Sequence, residues 1–161
     1  SLGHRHIAFI SGDPDHVAMT RRLDGVRDAL RDWDGEPCHL TVRQGFSTFD
    51  SGLRVAKALL SLDERPTAIF AANDDMAAGV IYEAQELGLR VPGDLSIAGF
   101  DDTLLASRIW PGLTTVRQPT REMGEAAARL LIDQVMGRTL EPRAPIPTEL
   151  VVRKSTGPVS G

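Results

Sequence analysis

Short apolar runs and amphipathic stretches alternate along the chain. Residues 6–10 are an apolar run ending in the turn cluster Ser11, Gly12, Asp13, Pro14 and Asp15, which predicts a first strand. Met19, Leu23, Val26, Leu30 and Trp33 then recur at steps of three and four, one stripe of a helix that stops at Asp34, Gly35, Glu36 and Pro37. Leu40 and Val42 alternate with polar neighbours as in a half-buried strand, and a second helix follows Asp50 with Leu53, Ala56, Leu59 and Leu60 inward. Residues 67–72 predict a buried strand. Asn73 or Asp74 can cap a third helix with Met76, Val80, Ala84 and Leu87 on its core side and Gly88 at its end. Strands are expected over 95–100 and 113–117, both ending in polar residues. Thr120 opens a fourth helix over 120–136, with Met123, Ala127, Leu130, Leu131 and Val135 as its stripe and Gly137 as its stop, and a last short strand is expected over 150–153.

Strand and helix alternating throughout predict an α/β fold: a mostly parallel sheet, helices on both faces, right-handed crossovers. Pro142, Pro145 and Pro147 mark a linker before the last strand, and 157–161 reads as a loose tail. No internal repeat appears.

The chain's 161 residues and 42% hydrophobic content suit one domain with a real core. A net charge of −4 from 18 basic and 22 acidic residues gives no footprint for coating nucleic acid, so this segment alone is not expected to bind DNA. Cys38 stands alone, which excludes an internal disulfide and a cysteine-based zinc site and favours a reducing compartment. No apolar run reaches the ~18 residues of a membrane helix, and no signal peptide opens the chain; a start almost at a strand is what a fragment would show.

In an open parallel sheet, ligands bind beyond the carboxyl ends of the strands. Those ends carry Asp13 and Asp15, then Phe46 and Ser47, then Asn73, Asp74 and Asp75, then Asp101 and Asp102, then Gln118. Carboxylates, amides and an arginine beside an aromatic wall suit a neutral polyhydroxylated ligand, because a carboxylate accepts from vicinal hydroxyls while amides and guanidinium donate to oxygens. Taken singly, each Asp or Asn there reads as a cap of a helix or turn. Catalytic patterns are weaker. The first strand lacks a glycine-rich phosphate loop, no Gly-x-Ser-x-Gly elbow occurs, and His4, His6, His16 and His39 have no triad partner. His4 and His6 share a strand face but lack further metal ligands and read as exposed edge residues; no metal and no cofactor is implied. Asp101 and Asp102 sit after the wrong strand for a phosphoacceptor receiver domain.

Three ordered motifs, RPTAIFAANDDMAAG (65–79), GLRVPGDLSIAGFDD (88–102) and LTTVRQP (113–119), with RLDG at 22–25 and Met123-Gly124, resemble the lactose/galactose repressor (LacI/GalR) family of bacterial transcription regulators. That resemblance implies a periplasmic-binding-protein-like fold in which this chain is the second lobe of a two-lobed effector domain. Residues 5–118 would form the lobe, 119–137 a helix returning to an absent first lobe, and 138–156 a linker and a strand returning to the second. The DNA-binding headpiece would also lie outside it. Residue by residue, Arg22 resembles the family's effector-binding arginine, Asn73 its hydroxyl-binding amide, Asp101 its sugar-binding carboxylate and Gln118 the residue at the lobe crossover. Where the family has Gly-Asp-aromatic-Ser this chain has Gly45, Phe46, Ser47 and Thr48; the aromatic comes one position early, which favours a ligand other than a plain hexose.

The resemblance implies a cytoplasmic, non-enzymatic effector sensor that dimerises and meets operator DNA only through its headpiece, with no membrane partner. Two alternatives stay open: a sugar-binding protein of a transport system, and an α/β enzyme acting on a sugar or nucleotide. Ile81 and Tyr82 fall off the core stripe of the third helix, so a homodimer surface is expected around Ala78, Ile81, Tyr82, Gln85, Leu105 and Ile109. The 120–136 stripe, lacking its lobe, is expected either to pack against a symmetry-related copy, as in a domain swap, or to be poorly ordered.

Overall fold

The structure is a computed structural model describing residues 2–139 and 144–159. Its elements are β1 (His6–Ser11), α1 (Val17–Arg31), β2 (His39–Gln44), α2 (Phe49–Leu60), β3 (Ala68–Ala71), α3 (Asp74–Glu86), β4 (Ser96–Asp101), α4 (Leu104–Arg108), β5 (Thr114–Arg117), α5 (Thr120–Val135) and β6 (Glu149–Val151). The strands form one sheet in the order β2-β1-β3-β4-β5-β6. All pairs are parallel except β5 with β6, where Thr115 faces Val151 and Arg117 faces Glu149. The expected α/β architecture is therefore present. The final strand lies earlier than 150–153, and the one-turn α4 was not predicted because five residues show too little periodicity.

Right-handed crossovers put α1, which moves the chain outward to β2, on one face of the sheet and α2, α3 and α4, which move it the other way, on the opposite face. The core lies mainly on the second face, where Ile10, Leu59, Ile69, Met76, Ile81, Leu95, Ile97 and Leu113 are almost wholly buried; Phe9, one strand position before Ile10, is buried on the α1 face beside Phe70. On the second face the helices touch backbone to backbone. A Cβ on Gly52 would meet Met76 O at 2.3 Å, and one on Gly79 would meet Phe49 O at 2.3 Å. On the other face α1 is alone and buries no residue completely; Met19, Leu23, Val26 and Leu30 are half-covered, and Trp33 lies beyond the helix end. Beside α1 an open depression of about 510 Å³ runs over Phe70, Phe100 and Val116. Among the described residues no helix is long and apolar enough to cross a membrane.

Several expectations need correction. Ala78 and Ile81, both in α3, are buried within this chain, so neither can present a free dimer surface, whereas Leu87, expected in the core, is exposed past the helix end. The residue periodicity was right, but α3 is wrapped on more than one side. β1 is an inner strand, and His4 is no edge residue: its Nδ1 lies 3.0 Å from Thr67 Oγ1 and its Nε2 3.1 Å from Ser96 Oγ and 3.0 Å from Gly157 O. Those partners also tie down the supposed loose tail. Gly157 N–H donates to Ser96 Oγ at 3.1 Å, and Val159 N–H donates to Leu2 O at 2.9 Å. Ser1, Pro142, Ser160 and Gly161 lie outside the described residues.

Candidate functional site

Each strand of the parallel sheet delivers its polar residue to the same edge, and α1 delivers Arg22 to it from the side. The guanidinium is held three ways: Nη2 donates to Asp101 Oδ1 at 3.1 Å, Nη1 donates to the Ala72 carbonyl, and its carbon lies 3.8 Å over the Phe100 ring. Gln118 Nε2 donates to the same Asp101 Oδ1 at 2.7 Å. Arg22, Asp101 and Gln118 therefore meet directly. The Arg22 side chain is 12% exposed and that of Asp101 30% exposed, so the pair is sheltered yet reachable.

A second group adjoins it through Ala72. Asn73 caps α3, its Oδ1 accepting from Met76 N–H at 3.0 Å, while its Nδ2 donates to Ser47 O at 2.9 Å. Ser47 Oγ in turn accepts from Asp13 N–H at 3.4 Å. The bland capping role and placement at the edge are thus both true of Asn73. Asp13 spends one carboxylate oxygen in its own turn, accepting from Asp15 N–H at 3.0 Å. Phe46 is 55% exposed, and its N–H donates to Ser51 Oγ at 3.0 Å.

The end of β4 is strained. Asp101 has φ of 113° and Asp102 of 53°, and Ser47 has 61°, left-handed backbone that costs non-glycine residues on the order of 1–3 kcal/mol each. Asp102 turns the other way from Asp101: Arg153 Nη2 donates to its Oδ1 at 2.6 Å and Arg117 Nε to its Oδ2 at 2.7 Å, and Arg117 also pairs with Glu149 at 2.9 Å. This network ties β4 to β5 and β6. Burial pushes the Asp102 carboxyl up, but the two guanidiniums outweigh it and hold it below the ordinary value. For Asp101 burial wins over Arg22 and Gln118 and its carboxyl titrates above the ordinary value.

Sequence reasoning brought Arg22, Asn73, Asp101, Gln118, Ser47 and Asp13 to one edge, but missed Phe100 beneath Arg22, the Asp102 network and the burial of Asp74. Asp74 is fully buried, and burial raises its carboxyl although Thr115 and Thr103 hydrogen-bond to it. The visible signal was the repeated carboxylate after Asn73, which reads equally well as a helix cap. Among the described residues no three His, Cys, Asp or Glu side chains cluster as metal ligands.

Residues 1–156 match the family model described as periplasmic binding protein-like domain. The chain is 41% identical over 154 residues to the HTH-type transcriptional regulator CelR of Thermobifida fusca, covering 95% of this chain and 45% of that protein. It is 40% identical over 157 residues to catabolite control protein A of Priestia megaterium, covering 96% and 47%. In structure it is similar to a dimeric Lac repressor with an 11-residue C-terminal deletion, at TM-score 0.90 and 33% identity over 99% of this chain and 58% of that one. It is also similar to the CelR–cellobiose complex, at TM-score 0.87 and 41% identity over 95% and 47%. The chain spans about half the length of these relatives. On the sheet order, the strand-end site and these matches, the chain belongs to the periplasmic binding protein-like family, in the form carried by LacI-family transcriptional regulators.

Proposed function

We propose that this chain is the second lobe of an effector-sensing domain that controls operator binding through a headpiece carried elsewhere in the same protein. The site takes a small polyhydroxylated ligand, a sugar or sugar derivative, and performs no turnover. Asp101 accepts from ligand hydroxyls, Arg22 and Gln118 donate to ligand oxygens, and Asn73, Ser47 and Asp13 complete the wall, with Phe46 at the rim. The carrying observation is the Arg22–Asp101–Gln118 cluster: a carboxylate that accepts from two donors at the carboxyl edge of a parallel sheet.

Similarity to a cellobiose-bound relative makes cellobiose the first ligand to test. Calorimetric titration of the full-length protein with cellobiose, then other di- and monosaccharides, polyols and purines, should give one binding isotherm that Asp101→Ala abolishes while operator binding persists. A ligand at about 100 times its Kd should stabilise the protein by roughly 2.7 kcal/mol. Consumption of the bound sugar would favour the enzyme alternative, and a protein without a headpiece the transport alternative.

The proposal includes a cytoplasmic homodimer. With Ala78 and Ile81 inside the chain, the surface rests on exposed Tyr82, Gln85, Leu104 and Trp110 and half-buried Leu105 and Ile109, held together by Gln85 Nε2 donating to Trp110 O at 2.8 Å. Tyr82→Glu should convert the sedimenting dimer to monomer at micromolar concentration. A species unchanged by that substitution would move the interface elsewhere.

A further inference from the structure

We propose that Asp74 is the positioning residue of the effector site: its buried carboxylate clamps the loop after β4 and thereby aims Asp101 at Arg22 and the ligand. The inference rests on the reading of Asp101 as the effector-contacting carboxylate.

Asp74 is the first residue of α3, directly after Asn73, and its side chain enters the space between β4 and β5. Thr103 donates to Asp74 Oδ2 twice, from its N–H at 2.7 Å and from its hydroxyl at 3.1 Å. Thr115 Oγ1 donates to Asp74 Oδ1 at 2.5 Å, and the same hydroxyl oxygen accepts from Asp102 N–H at 3.3 Å. The carboxylate therefore holds Thr103 N–H directly and Asp102 N–H through Thr115, gripping the two peptides that flank the Asp102 Cα. The two left-handed residues lie at that grip, Asp102 inside it and Asp101 immediately before it, in backbone that non-glycine residues rarely adopt. β4 also makes room for the clamp: a Cβ on Gly99 would stand 2.5 Å from Asp74 Oδ1.

A carboxylate wholly out of water is costly unless used, and this one spends one oxygen on Thr103 in the loop after β4 and the other on Thr115 of β5, which in turn holds Asp102 N–H. Asn73 and Asp74 thus serve one site from adjacent positions, the first from its wall and the second from behind Asp101. An amide in place of the carboxylate keeps the volume but supplies one acceptor where three donors converge, so the turn relaxes and Asp101 loses its aim.

The test uses the full-length protein with cellobiose, or whichever sugar titrates in the screen above, as probe. Asp74→Asn should weaken binding at least tenfold while the circular dichroism of the folded state is unchanged. Thr115→Val, which removes one hydroxyl from the clamp, should weaken it by a smaller factor. Wild-type affinity in both folded variants would overturn the proposal and leave Asp74 a purely structural residue. A ligand-free measurement separates this failure from failure of the effector reading. If Asp74 aims Asp101 at Arg22, then Arg22→Met should lower Tm by much less in the Thr115→Val or Asp74→Asn background than in the wild type. Additive Tm losses would overturn the clamp even if no sugar binds; strong coupling without any sugar binding would uphold the clamp and defeat the effector assignment.

Discussion

Two neighbouring aspartates at the end of β4 do opposite work, and their titration differs in sign. Asp102 is held below the ordinary carboxylate value of 3.8 by Arg153 and Arg117 against the opposing effect of burial, so its contribution to stability is complete above that value and is lost as pH falls through its folded pKa. Asp74 and Asp101 are raised by burial; their effect runs the other way, stability declining as pH climbs from 3.8 through their folded values. Urea unfolding between pH 2 and 6 should therefore show a weaker loss of stability at the acid end in Asp102→Asn than in the wild type. Arg153→Met, which leaves Asp102 with Arg117 alone, should cost about 1.5–3 kcal/mol at pH 7, the range for a charged hydrogen bond with a sheltered partner. At the same scale, effector affinity should fall as pH drops through the raised pKa of Asp101, because a protonated carboxyl accepts from one hydroxyl where the carboxylate accepts from two. Titration at pH 4 and 7 checks this, and equal affinities would remove Asp101 from the ligand's contacts. Asn73, Asp101 and Gln118 were legible from the sequence because strand ends in a parallel sheet share an edge, and Arg22, on α1, through the family resemblance. The clamp was not, since a buried Asp after a helix cap looks the same in sequence as an exposed one.

Among the elements, α2 and α3 set the precision of the site, for Asn73 and Asp74 begin α3 and Thr48 to Ser51 cap α2 in a reciprocal hydrogen-bonded box beside Ser47. The two helices lie so close at Gly52 and Gly79 that a methyl group meets backbone atoms, which cannot rotate away. Gly79→Ala should thus cost about 1–3 kcal/mol, the range for overpacking, in spite of alanine's better helix propensity, and chemical denaturation measures it. A neutral or stabilising outcome would mean that the helices separate freely. The sequence pattern found six strands and four helices near their observed places because apolar period and turn residues agree there. It misjudged burial: α1 has a proper stripe but only one sheet face's edge to lie on, while Ala78 and Ile81 are covered from sides that no single period describes. Burial is set by neighbours distant in sequence, and one helix's periodicity records only the strongest of them.

For the whole molecule, α5 is the element that the rest of this chain leaves unclaimed. None of its residues is buried, and Leu131, Ile132 and Val135 are mostly exposed, Val135 by 86%. The sixteen-residue helix runs between β5 and the segment leading to β6, whose strands are tied together at their base by Arg117, Asp102, Arg153 and Glu149. An amphipathic helix without a covered face contributes little to the stability of the domain that carries it. If this chain is one lobe of two, that face belongs to the other lobe, and the same substitution must read differently in the two contexts. Leu131→Lys should change the stability of this chain alone by less than about 0.5 kcal/mol, the ordinary scale for a surface change, yet cost the full-length protein roughly 1.5–3 kcal/mol, the value of burying a leucine. Paired urea titrations of the two proteins make the comparison. Equal and large losses in both would place α5 against its own sheet, and equal, negligible losses would leave the helix without a partner in the complete regulator.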